Sequence, residues 1–181
     1  MWTVKKKAGF TIVELLIVIV IIAILATITI VAYNGIQQQA RDAQRTRDIG
    51  EIVKAIQRWS IETGQDFSSM PAGHLSVPAQ GWYDVVYTGS SVKSYLVNSG
   101  YLPNALNDPI NNKTGSVKYA YMIVECTSSD NKTRILLANM ETTQTQTVAQ
   151  QLGSPACTST TYTSYLGATY GMDFARRVTV D

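Results

Sequence analysis

The chain has 181 residues with 15 basic and 13 acidic side chains and a single histidine. That length suits one small exported domain beside any membrane segment, and leaves little room for a second core. Its formal charge of +2 is no nucleic-acid signature: without Lys5, Lys6 and Lys7 the chain carries 12 basic against 13 acidic residues, a net of −1. Sequence-specific nucleic-acid binding is therefore not expected.

The first element follows the basic cluster. Lys5, Lys6 and Lys7 lead into Ala8 and Gly9, and from Phe10 to Tyr33 run 24 residues whose only ionisable side chain is Glu14. A helix of that length spans roughly 36 Å at about 1.5 Å per residue, enough for a bilayer core of about 30 Å. Lysines on one side predict that they stay inside the cell while the remainder is exported. A carboxylate deep in such a run costs about 2.5–3.5 kcal/mol, so Glu14 asks for a partner. A cut between Gly9 and Phe10 would supply one, because the new terminal ammonium lies one helical turn from Glu14. A secretory signal peptide would have a shorter apolar core and a small-x-small cleavage site, and a plain anchor has no need of Glu14.

The string Lys7-Ala8-Gly9-Phe10-Thr11-Ile12-Val13-Glu14 resembles the prepilin signal of the type IV pilins and their pseudopilin relatives. The resemblance implies that a prepilin peptidase removes residues 1–9 by cutting after Gly9 and that Phe10 becomes the methylated N-terminus. It also implies that Glu14 neutralises a neighbour's terminal amine during assembly, and that Lys5, Lys6 and Lys7 form the basic leader. The implied partners are other copies of the chain or related pilins, the peptidase, an inner-membrane assembly platform and the membrane. The implied location is first the cytoplasmic membrane, then an extracellular filament. Many type IV pilins carry a glycine and a proline inside the apolar half, where this chain has Ala23 and Val31. Thr27, Thr29 and Asn34-Gly35 are the remaining candidates for local unwinding.

Residues 34–63 are expected to continue the helix. Ile36, Ala40, Ala43, Ile49, Ile52, Val53, Ile56 and Trp59 recur at three- and four-residue steps and form one stripe. The charged pairs Asp42–Arg45, Arg47–Glu51, Glu51–Lys54 and Arg58–Glu62 suit a solvated face, or contacts between subunits of a filament. No proline interrupts the run from Phe10, so the helix is predicted over residues 10–63, stopping at Gly64.

Residues 64–181 are rich in Ser, Thr, Asn, Gln, Gly and Tyr and are expected to form the head. Gln65–Gln80 reads as a loop and Trp82–Thr88 as β-like. Ser90 or Ser91 caps a short helix through Val97, closed by Gly100. Val117–Cys126 and Thr133–Met140, separated by Ser128-Ser129-Asp130-Asn131, predict a hairpin. A last strand is expected around Phe174–Val180, with Tyr162–Tyr165 as a further candidate. Tyr121 and Ile123, or the alternate face, would cover the helical stripe. The fold class is α+β: a long helix, transmembrane then amphipathic, with a small antiparallel sheet over its distal half, the layout of a type IV pilin.

Cys126 and Cys157 enclose 30 residues, and in an exported, oxidising setting a disulfide is expected rather than two free thiols. No catalytic motif stands out, so an enzyme is not expected and no cofactor is implied. His74 lies in a Gly/Pro-rich loop. Asp108-Pro109-Ile110-Asn111-Asn112 resembles a loop that holds calcium in some pseudopilins, but one carboxylate and two amides are few ligands for it; a plain turn with Asx hydrogen bonds is expected and no metal site is assigned. Asn112-Lys113-Thr114 and Asn131-Lys132-Thr133 match a glycosylation sequon, which carries little weight in a prokaryote. Two functions remain: the structural subunit of an extracellular pilus serving adhesion, motility or DNA uptake, or a pseudopilin of a type II secretion or competence system.

Overall fold

The first helix, α1, runs from Ile12 to Thr63 in a computed structural model that describes residues 9–70, 81–83, 91–104, 106–114, 118–127, 132–158, 165–166 and 170–180. It starts at Ile12 rather than Phe10 because Thr11 takes the capping position: Leu15 N–H donates to the Thr11 carbonyl at 3.3 Å. It ends as expected at Gly64, whose φ of +66° is a conformation glycine adopts without a Cβ clash, and whose N–H closes on the Ser60 carbonyl at 2.8 Å.

Two compact units divide the chain, residues 1–39 and 40–181. In the first, the described large apolar side chains between Ile12 and Ile36 are all exposed, from 47% at Val20 to 82% at Ile12. A helix apolar on every face is stable only where lipid or other protein surrounds it. This helix is long and apolar enough to cross a membrane.

The second unit holds the distal part of α1 and the head. Its strands are β1 (Gly81–Trp82), β2 (Met122–Glu125), β3 (Thr133–Ala138) and β4 (Phe174–Thr179), in one antiparallel sheet of that order. β2 and β3 pair with Ile123 opposite Leu136, and β3 and β4 with Leu137 opposite Ala175. Both faces of the sheet are covered. Tyr121, Ile123, Leu136, Ala138 and Val178 pack on Ile49, Ile52, Ile56 and Trp59 of α1. Met122, Val124, Ile135, Leu137 and Ala175 pack on the other side against Cys126, Met172 and a short helix, α3 (Val148–Leu152), taking α2 as Val92–Asn98. Burial on both faces explains why β2 and β3 read as continuous apolar runs rather than alternating ones. Ile49, Ile52, Ile56 and Trp59 have no exposed surface, each worth about 1.5–3 kcal/mol of transfer free energy.

Several expectations need correcting in extent. β2 and β3 are shorter than predicted; of the residues before β2, Tyr119 makes only an isolated bridge to Asn112, and Val117 and the turn 128–131 lie outside the described residues. Of the two expected caps Ser91 is the one that caps α2, exchanging bonds with Ser94, and the helix runs one residue past Val97 to Asn98; Gly100 follows at φ +76°. Of the Gln65–Gln80 loop, Phe67–Ser69 is a 3-10 turn capped by Asp66, and 71–80 lie outside the described residues, His74 among them. Residues 84–88 of the β-like segment and 162–164 of the further strand lie there too, and Tyr165 belongs to no strand. Ile36, Ala40 and Ala43 are exposed, so the buried stripe starts further along α1 than its periodicity suggested.

Candidate assembly site

At the start of α1 the backbone N–H and hydroxyl of Thr11 both donate to Glu14 Oε2 at 2.8 Å, and Glu14 N–H donates to Thr11 Oγ1 at 3.2 Å. This is a reciprocal capping box, which satisfies two of the amides a helix start leaves without partners. The motif Thr-x-x-Glu was present in the sequence as its signal. Glu14 thus has a role within its own chain that charge reasoning alone did not find. Phe10 lies just outside the helix and is 81% exposed, and Gly9 is exposed beside it, with open space around its Cα. The peptide bond joining them therefore lies in an accessible, non-helical segment. Lys5, Lys6 and Lys7 lie outside the described residues.

Further along α1, the pair Asp42–Arg45 departs from the solvated-face expectation. Arg45 is fully buried and donates to Asp42 at 2.6 Å, to both oxygens of Asp108 at 2.7 and 3.2 Å, and to Glu141 at 2.8 Å. Arg41 adds a second fork to Glu141 at 2.7 and 2.5 Å. Asp42 accepts from the N–H groups of Glu141 and Thr142 at 2.9 Å and from the Thr142 hydroxyl at 2.7 Å. One guanidinium thus ties the loops around Asp108 and Glu141 to the helix. Burial pushes the Asp42 carboxyl up, but the donors from Glu141, Thr142 and Arg45 outweigh it and hold it below its ordinary value. The Arg41 guanidinium, with that of Arg45, holds Glu141 down as well. Asp48 goes the other way: burial raises it, although the Tyr121 hydroxyl donates to it at 2.9 Å. The outer pairs Glu51–Lys54 and Arg58–Glu62 are exposed as expected, whereas no ion pair joins Arg47 to Glu51.

Cys126 and Cys157 are joined by a disulfide, and Thr158 N–H donates to the Cys126 carbonyl at 2.9 Å beside it. The covalent link fixes the segment following α3 to the end of β2. Asp108, the carboxylate of the candidate calcium loop, accepts from the N–H groups of Ile110 and Asn111 at 2.8 and 3.2 Å as well as from Arg45. That is an Asx turn whose acid is already matched to a cation.

Comparison with known proteins bears on what this arrangement belongs to. Residues 4–30 match the model of the prokaryotic N-terminal methylation motif. The chain is 33% identical over 101 residues to the type IV wide pilus major component PilA4 of Thermus thermophilus, an alignment covering 54% of this chain and 76% of that protein. The chain belongs to the type IV pilin family. No solved structure matches it. As a type IV pilin it is a pilus subunit, and the motif with the apolar helix fits a membrane-anchored precursor that later enters a pilus.

Two features of this pilin escaped the sequence reading. The Arg45 cluster joins residues 63 and 96 positions apart, which no local spacing reveals. Helix α3 had a local signal, the pair Thr147 and Gln150 that forms its capping box with Thr147 N–H on Gln150 Oε1 at 2.8 Å.

Proposed function

We propose that this pilin is the structural subunit of an extracellular type IV filament, processed by a prepilin peptidase between Gly9 and Phe10 and methylated on Phe10. The observation that carries the reading is the exposed, uniformly apolar start of α1 with one carboxylate, Glu14, four residues beyond the exposed Gly9–Phe10 bond. Lys5, Lys6 and Lys7 keep the leader on the cytoplasmic side and residues 34–181 are exported. An inner-membrane assembly platform then draws copies together, the Glu14 of one subunit meeting the terminal ammonium of another in a low-dielectric bundle where such an attraction is strong. The filament serves adhesion, motility or DNA uptake.

The alternative, a pseudopilin of a type II secretion or competence system, would use the same leader and helix. The similarity to a major pilus component and the disulfide in the head favour the surface filament. Glu14→Val tests the reading directly. Insertion of the precursor into membranes is expected to persist, since an intramembrane charge is lost, while incorporation into filaments falls sharply. Filaments of normal number and length from the variant would refute the pairing role.

A further inference from the structure

Outside the assembly site, the outer edge of β4 carries two adjacent arginines, Arg176 and Arg177. Among the arginines discussed above, Arg41, Arg45 and Arg58 each pair with a carboxylate. Among the described residues, Arg176 and Arg177, adjacent on β4, take part in no ion pair. Both line an open depression of about 420 Å³, together with Gln146, Gln151, Phe174 and Ala175. No carboxylate is among these lining residues.

The walls of this depression are fixed. Gln151 of α3 accepts from Ala175 N–H at 2.8 Å and donates to the carbonyls of Asp173 and Gln146 at 2.9 and 3.0 Å, fastening α3 to the start of β4. Arg177 is held by donating to the Pro155 carbonyl and to Cys157 Sγ. Arg176 is exposed, and among the described residues its guanidinium meets no acceptor. The backbone adds a donor. Val180 N–H bonds the Lys132 carbonyl across the ladder, so even-numbered residues of β4 face β3 and odd-numbered ones face outward. Ala175 spends its outward N–H on Gln151; two residues on, the outward N–H of Arg177 meets no acceptor among the described residues.

We infer that this edge of β4 is an oxyanion site for a phosphate group, with Arg176 as the exposed cation, Arg177 as the anchored one, and the Arg177 N–H and Gln146 amide as neutral donors. Consecutive strand residues project to opposite sides of a sheet. Arg176 and Arg177, both lining one depression at the edge, therefore offer their guanidinium groups to a ligand from opposite sides of the sheet. A tetrahedral phosphate offers acceptors to both, where a planar carboxylate fills one fork only.

The test is equilibrium dialysis of the full-length chain, solubilised in detergent, against radiolabelled inorganic phosphate at about 0.01 M and about 0.15 M salt. Saturable uptake of one phosphate per chain is expected, weaker at the higher salt. Arg176→Gln should reduce affinity at least about tenfold, whereas Arg176→Lys should keep much of it because the charge remains. Arg58→Gln, which removes an arginine already paired with Glu62, should change nothing. Circular dichroism checks that each variant is folded. Displacement of bound phosphate by a short thymidylate oligonucleotide supports the site and assigns its natural ligand to a phosphodiester chain; retention of phosphate supports the site for the free ion. Absence of saturable uptake by the folded chain, or equal uptake by Arg176→Gln, overturns the proposal.

Discussion

Arg45 on α1 and Asp108 in the loop after α2 meet with Nε 2.7 Å from Oδ2, and neither side chain has any exposed surface. An ion pair so enclosed contributes little net stability by existing, because both charges had to leave water. It contributes a great deal by not being broken, since the partners left behind cannot be hydrated. Arg45→Leu is therefore expected to destabilise the head by about 3–5 kcal/mol, with Asp42, Asp108 and Glu141 left facing one another. Urea unfolding of the full chain in detergent, followed by tryptophan fluorescence from buried Trp59, measures it. A loss below about 1 kcal/mol would show that water reaches the cluster.

The carboxylates of the head divide by the sign of their shifts, and so does their effect on stability with pH. Asp42 and Glu141 sit below their ordinary values of 3.8 and 4.5. Ionised in the folded chain where the unfolded one would bind a proton, they stabilise the head above that range, and the contribution is lost as pH falls through their lowered folded values. Asp48 and Asp173, raised chiefly by burial, favour the fold in their neutral form; that contribution is present below 3.8 and lost as pH rises through their folded values. Unfolding measured across a pH series should thus show a shallower acid limb in Asp42→Asn, the remainder being that of Glu141. In Asp48→Asn, which keeps an oxygen for the Tyr121 hydroxyl, the decline on the other side should shrink. A curve unchanged in both variants would contradict the assignment.

Replacing Cys126 and Cys157 together by serine opens a loop with a sequence separation of 31. The chain-entropy estimate places the cost at about 3.5–4 kcal/mol, within a general range of about 0–5. The expected readout is a lower urea midpoint for the serine variant, matched by the wild type under reducing conditions. Equal midpoints would mean that packing of Met122, Val124 and Leu152 holds this region without the link.

Thr11→Val removes the hydroxyl that caps α1 while leaving an apolar side chain suited to its surroundings. A lost cap costs about 1 kcal/mol. Faster hydrogen exchange at Val13 and Glu14 of the detergent-solubilised chain is the expected signature. Protection equal to wild type would show that the Thr11 N–H bond to Glu14 suffices.

These predictions also mark where the sequence was informative. The span of α1, its stop at Gly64 and the core positions Ile49, Ile52, Ile56 and Trp59 follow from periodicity and one glycine, because helix geometry repeats locally. The onset of the buried stripe did not follow. Ile36 and Ala43 satisfy the same spacing as Ile49, but periodicity cannot say where along a helix another layer begins to cover it. Asp42 and Arg45 looked like an ordinary surface pair for a related reason: their third and fourth partners, Asp108 and Glu141, come from loops whose placement depends on the whole head. At the assembly site, Glu14 was conspicuous as a charge in an apolar run, whereas its bond to Thr11 required attention to the three-residue spacing instead.

That bond changes how the unprocessed subunit is pictured. On the proposed assembly role, an acid already hydrogen-bonded to Thr11 has partners before it meets a second chain, so a lone copy carries no bare carboxylate into the bilayer. Recruitment would then be an exchange of one hydrogen-bonded arrangement for another, easily reversed, rather than the rescue of a stranded charge.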